Sequence, residues 1–389
     1  MYNEATIYNQ SDKSYIPSDA SATNKLVTKA DLDEATAAWD AGYTPKGPAS
    51  VSTLNGLSGQ ENGDRYVLTN GGTLSAGSLV VVAGDEVAWD GTGEKWYKVS
   101  LFALKKFSGI FIKKRWQTSS KHIYVCIPSQ SGYVMFDISF VENLDESKNY
   151  SLWRLQWVYA GDENLNILDY LSVSGEWECA LKLKDADDFM GGSTHGDEIM
   201  SNVCWIVDGQ EVDMATWSGG FCHELRMARK STMYDPRDHV TQTAEHGVEY
   251  VFDSEGLTMS QSVKWLVNAE VTNCYMGMNL PKKAYTTKGY IDTVFDPSTL
   301  PAYTRYPDAS KLVLFDSEKG TFCSFENLEL TKTEDAGNNS LYFTDNSGNN
   351  YNKGYFCATY TSEGVVIPAN TLWKSKTRYI YKTAKAITV

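Results

Sequence analysis

The sequence predicts a mainly β protein: an N-terminal arm with a short helix, a small β module, and a large antiparallel, β-sandwich-like C-terminal domain. Three observations predict this. Short stretches with alternating apolar and polar residues recur along most of the chain. They are separated by Gly-, Asn- and Asp-rich turn signals. Helical periodicity is confined to one segment near the N-terminus. The chain has 389 residues, more than one hydrophobic core usually serves. Its pattern divides it into residues 1–43, 44–104 and 105–389.

The first residues, to about Lys25, are polar and poor in aliphatics, as expected of an arm ordered by a partner. The next stretch, VTKADLDEATAAWDAG, reads as a helix. Thr28 can cap it, Asp31 and Asp33 suit the positive end of its dipole, and Gly42 can end it. Leu32, Ala35, Thr36 and Trp39 share one face. So short a helix needs sister chains or a neighbouring domain to cover that face. From about Pro45 to Val99 the pattern becomes that of short strands, with hairpin-type signals at Asn70-Gly71-Gly72, Ala83-Gly84-Asp85 and Asp90-Gly91.

Beyond about Leu104 the strand pattern continues to the C-terminus. In HIYVCIPSQ, Ile123, Val125 and Ile127 alternate with His122, Tyr124 and Cys126, which predicts a half-buried strand. YVMFDISFV, SLWRLQWVY, VCWIVDGQEVDM, GVEYVFD and LYFTDNSGNNYNKGYFCATY read similarly, and Asp208-Gly209 and NSGNN are further hairpin signals. Many short strands without helices predict packed antiparallel sheets.

Aromatic residues make up 13% of the chain, including 24 Tyr and 11 Trp, leaving amphipathic rings available for interfaces or for stacking on sugars. Trp153, Trp157 and Trp177 lie on strands where a ring could stack on a sugar, although core packing is the commoner fate of such a residue. The formal charge of −14, with no Lys/Arg cluster, argues against nucleic-acid binding. No apolar run reaches the roughly 18 residues needed to cross a bilayer, so membrane insertion is not expected. The seven cysteines are scattered without C-x-x-C spacing and read as buried thiols.

The segments TNKLVTKADLD, GYTPKGPASVSTLNGL and GDEVAWDGTGEKWYKV resemble the N-terminal attachment modules of tail-fibre proteins in phages and prophages of gut Bacteroidetes. The similarity covers about the first quarter of the chain. It implies a phage tail fibre or receptor-binding structural protein, made in the host bacterial cytoplasm and carried on the virion tail. Such a protein would be a homotrimer, contacting other tail or baseplate proteins through its N-terminus and a host surface glycan through its C-terminal domain. A purely internal tail component would give the same signals.

One segment carries residues suited to catalysis, DDFMGGSTHGDEIM, with His195, Asp197 and Glu198 after Gly191-Gly192. It resembles the G-G-x-H-G-x-E stretch that supplies two zinc ligands in zinc carboxypeptidases and the related desuccinylases and aspartoacylases. Imidazole and carboxylate suit a divalent metal such as zinc, and His223 is a candidate third ligand; His239 and His246 are further possibilities. Here one extra residue separates the glycines from the histidine, and charged LKDADDF precedes them in place of a buried parallel strand. The principal expectation is therefore a binding protein with no catalytic residues and no cofactor. The alternative is a tail-borne glycan hydrolase, esterase or lyase centred on His195, Asp197 and Glu198. Asp185, Asp187 and Asp188, or Asp335 with Asn338 and Asn339, are weaker oxygen clusters for Ca²⁺.

Overall fold

The computed structural model describes residues 44–61, 64–81, 86–90, 93–98, 109–117, 120–130, 132–145, 148–173, 177–301, 304–307, 309–331, 341–345 and 349–384. The expected arm and its helix, and the Asp335/Asn338/Asn339 cluster, lie outside these residues. The chain divides into two compact units, residues 1–107 and 108–389.

In the first unit, strands Thr44–Ala49, Asp64–Leu68, Glu86–Asp90 and Lys95–Lys98 form a four-stranded sheet in that spatial order, the first pair parallel. Gly72–Leu74 and Leu79–Val81 pair separately. The strands flanking the Asp90-Gly91 signal do pair antiparallel, with Trp89 opposite Trp96. Those on either side of Asn70-Gly71-Gly72 do not, because they pair elsewhere. The Asn70 Oδ1 instead accepts the Val51 N–H at 2.9 Å. It thereby helps start a short helix, Val51–Asn55, whose Ser50 cap accepts from the Thr53 N–H. The β-branched residues Val51 and Thr53 conceal that helix in the sequence. Val51 and Leu54 bury against Leu68, Leu74, Val87 and Trp96.

The second unit is a pair of packed sheets, and mainly antiparallel. The larger sheet begins as a meander of Ile110–Gln117, Ser120–Ser129, Gly132–Asp145 and Lys148–Gly161. A second meander follows: Glu198–Val207, Leu225–Tyr234, Gln242–Asp253, Gly256–Trp265 and then Leu372–Thr383. The two meanders meet through only two parallel pairs, Tyr150 with Glu198 and Ser151 with Ile199. Thr321–Leu330 and Lys311–Asp316 extend the far side. The smaller sheet orders Cys179–Leu183, Ala269–Asn279, Asn352–Ile367, Leu341–Asp345 and Thr304–Tyr306. Phe325 of the larger sheet meets Phe356 of the smaller at 5.1 Å between ring centres, within a core that both sheets supply. Burying such aromatic and aliphatic faces is the main force holding the sheets together.

The Asp208-Gly209 turn is a two-residue hairpin with positive φ at both residues, as the dipeptide predicts. The Ser120–Ser129 strand departs from expectation: besides Ile123, Val125 and Ile127, both Tyr124 and Cys126 are buried. Its second face is covered as well, where Tyr124 packs between His122 and Tyr159. Six cysteines are buried free thiols, and Cys204 is half-exposed. No helix among the described residues is long and apolar enough to cross a membrane.

Candidate functional site

The glycine-rich turn between Cys179–Leu183 and Glu198–Val207 is shaped by backbone geometry. Gly191 and Gly196 bridge each other with φ of 105° and 86°, in the left-handed region that favours glycine. A Cβ on Gly191 would lie 2.9 Å from the Cys179 carbonyl oxygen.

From this turn the three candidate catalytic residues diverge. His195 lies at the surface, with Nδ1 2.9 Å from Asp188 Oδ1 and its ring 5.0 Å from that of Phe189. Asp197 is buried; its carboxylate accepts the Asn149 N–H and lies 2.8 Å from His239 Nδ1. Glu198 points into the sandwich. Its Oε2 accepts the Gly192 N–H at 2.6 Å, while Oε1 accepts from Arg229 Nη1 at 2.6 Å, His246 Nδ1 at 2.9 Å and Ser231 Oγ. His223, the proposed third ligand, is exposed on a separate loop, where its backbone N–H bonds Asp208. The metal set His195, Glu198 and His223 is therefore not brought together, because successive residues of the turn send their side chains to different surroundings. Among the described residues no group of three or more His, Cys, Asp or Glu side chains is placed to hold a metal.

The turn instead leads into a buried polar network. Glu198, Arg229 and His246 have fully covered side chains, and His246 Nε2 lies 3.3 Å from Gln261 Oε1. Nearby Glu178 accepts from the Tyr250 hydroxyl and from the Leu155 N–H. Burial raises the pKa of both carboxylates, but Glu198 is overruled by Arg229, His246 and Ser231 and held well below the usual carboxylate range. At Glu178 burial prevails over Arg229 and Arg154 and pushes the pKa up. Two carboxylates with pKa values driven apart form the pattern of an acid–base pair. Both are closed to solvent, so the network acts on stability. The sequence carried a readable sign of it: inward positions Leu225, Met227, Arg229, Ser231 and Met233 place two polar residues in an apolar series.

The two carboxylates act on stability with opposite sign. Glu198, with its depressed pKa, stabilises the fold above the unfolded value of about 4.3 and loses that contribution only as pH falls through its folded value. Glu178, with its raised pKa, favours folding fully only below about 4.3, and that contribution is lost as pH rises through its folded value. Glu178→Gln is thus expected to melt at a higher temperature than the parent at pH 7 and at an equal one at pH 4. A difference in Tm independent of pH would contradict this assignment.

A second candidate is a cluster of rings drawn from the smaller sheet, through Tyr275 and Tyr355, and from strands Lys148–Gly161 and Ile167–Ser172 of the larger, through Trp157 and Tyr170. Trp157, Tyr170, Phe189, Tyr275 and Tyr351 are half-buried and pack on one apolar foundation, made by Val173, Ala180, Met278, Leu280 and Cys357 with Tyr342 and Tyr355. The rings form a belt. Phe189 stacks on Tyr275 at 5.6 Å, Tyr275 meets Tyr355 at 4.5 Å, and Trp157 meets Tyr170 at 5.6 Å. Tyr360, 41% exposed, stacks 6.5 Å from Tyr275. Asparagine side chains hold the phenols: Asn273 donates to Tyr275 at 3.0 Å, Asn349 to Tyr351 at 3.1 Å and Asn350 to Tyr170 at 2.7 Å. Rings fixed in this way lose little freedom on meeting a ligand. Of the three tryptophans considered for sugar stacking, Trp157 reaches this surface, whereas Trp153 and Trp177 are in the core.

A shallow cavity of about 390 Å³ lies on the larger sheet, lined by Asn202, Lys230, Gly247, Glu249, Ser262 and Lys374 among others.

Neither a family model nor a curated protein matches the sequence. Among solved structures, a galactose mutarotase-like protein from Clostridium acetobutylicum is similar at TM-score 0.40 and 8% identity, over 71% of this chain and 99% of that one. Galactose 1-epimerase from Lactobacillus acidophilus NCFM matches at TM-score 0.35 and 8% identity, over 70% and 98%. A glycoside hydrolase family 97 enzyme from Pseudoalteromonas sp. strain K8 matches at TM-score 0.38 and 11% identity over 64% of this chain, the match spanning 34% of the hydrolase.

Proposed function

We propose that this chain is a glycan-binding structural protein of the phage tail-fibre type, and that the aromatic belt of its second unit is the surface that meets the sugar. The belt carries this reading. Pyranose rings present C–H faces that pack on aromatic planes, while their hydroxyls seek polar groups at the edge. The belt offers half-exposed rings edged by asparagine amides. The N-terminal resemblance supplies the attachment to a tail, and a trimer would present several belts at once, multiplying weak single-site binding. The hydrolase alternative would require His195 and Glu198 to share a solvent-open centre, and they face different surroundings.

Replacing Tyr275 by alanine is expected to weaken binding of the isolated protein to host surface polysaccharide about three- to tenfold, the loss of one stacking ring. Trp157→Ala should do the same, and both variants should keep their β-sheet circular dichroism. Unchanged affinity in both would exclude the belt as the binding surface. Sedimentation of the full chain as a monomer at micromolar concentration would exclude the trimer.

A further inference from the structure

The charges around the belt contrast with the charge of the chain. The protein as a whole carries −14, yet lysines fringe the rings. Lys182 Nζ lies 5.4 Å from the centre of the Phe189 ring, Lys353 Nζ 5.7 Å from that of Tyr355, and Lys282 Nζ 4.0 Å from that of Tyr170. Two carboxylates near these rings have partners: Asp169 binds Lys282 at 2.6 Å and the Tyr285 hydroxyl, and Asp188 takes His195 and the Phe189 N–H. Lys182 has no carboxylate within ion-pairing distance among the described residues, so its ammonium is held at the surface by the face of a ring.

We propose that the belt takes an acidic saccharide, a uronate-containing or similarly anionic chain, with a sugar face on the rings around Tyr275 and an acid group at Lys182. This rests on the belt reading above and adds the ligand's charge to it. A cation over an aromatic face contributes modestly at an exposed site. An anionic sugar lying against the neighbouring rings would meet the ammonium at the edge of the belt. Lys182 projects from Cys179–Leu183, whose register sets Lys182 opposite Asn273 and Ala180 opposite Tyr275. Lysine, amide and ring therefore occupy neighbouring positions on one sheet face.

The test uses the full chain with oligogalacturonate and oligomannuronate as probes, beside neutral galactan and mannan oligomers of equal length, by calorimetry at low and high salt. An acidic oligomer is expected to bind about fivefold or more tightly than its neutral counterpart, an advantage that added salt removes. Lys182→Gln should lower acidic binding to the neutral level. Tyr275→Ala should weaken both. Equal binding of acidic and neutral oligomers, with Lys182→Gln silent and Tyr275→Ala weakening both, would overturn the acidic preference and leave the belt standing. Acidic binding untouched by either variant would overturn the belt as well and direct attention to the cavity beside Lys230 and Lys374. Failure of every oligomer to bind at millimolar concentration would overturn both readings.

Discussion

Glu198→Ala is expected to destabilise the second unit by about 3–5 kcal/mol, the cost of leaving a buried guanidinium without its partner. Arg229 and Glu198 both have fully covered side chains. His246 would lose its acceptor at the same time. A domain is typically stable by about 5–15 kcal/mol, so urea denaturation should show a large fall in midpoint. His195→Ala, by contrast, removes a surface contact to Asp188 and should alter stability by well under about 1 kcal/mol. The apolar pair Glu198→Leu with Arg229→Met should recover much of the loss, because no buried charge is then left alone. If Glu198→Ala melts like the parent, or if His195→Ala is the more damaging change, the assignment of Glu198 to the core network is wrong.

Trp177→Ala is expected to cost a comparable amount, about 3–5 kcal/mol. Its indole is fully buried, 5.5 Å from the Tyr379 ring and 6.5 Å from that of Tyr381. It belongs to the core cluster that spans the two sheets. Deleting it opens a cavity that neighbouring β-strands cannot collapse into. Glycan affinity measured on the folded fraction should not change, since the side chain takes no part in the belt. A stable Trp177→Ala variant with weakened binding would reverse both statements.

The mainly β architecture was legible because strand alternation is local: each strand records in its own residues which face turns inward. The pairing of strands is not local, and that is where the sequence falls silent. Glu198 meets Arg229 and His246, which lie 31 and 48 residues further along the chain, and no spacing rule connects them. The G-G-S-T-H-G-D-E run drew attention to metal chemistry, but its glycines serve the tight turn and its acids divide between the Asp197–His239 contact and the interior. The status of Trp153, Trp157 and Trp177 was undecidable from alternation alone, because which face is covered depends on sheets assembled from distant segments. Helix Val51–Asn55 was hidden for a different reason. Val51 and Thr53 favour strands, and the cap and the Asn70 bond stabilise the helix from outside the run.

The two short parallel pairs between the meanders bear on how the larger sheet assembles. The first meander, and the second as far as Trp265, are built from strands consecutive in sequence and close over short stretches of chain at little entropic cost, whereas Leu372–Thr383 joins only after the chain has passed through the smaller sheet. Joining the two meanders is another matter, because Tyr150 and Glu198 are separated by the whole excursion through the smaller sheet's first strand and the glycine turn. The backbone of Glu198 pairs across this seam, while its side chain turns inward to Arg229 and His246 of its own meander. The residues that first resemble a reactive centre therefore stand at the joint of the sheet: the backbone of Glu198 faces the first meander, and its carboxylate ties together the strands of the second.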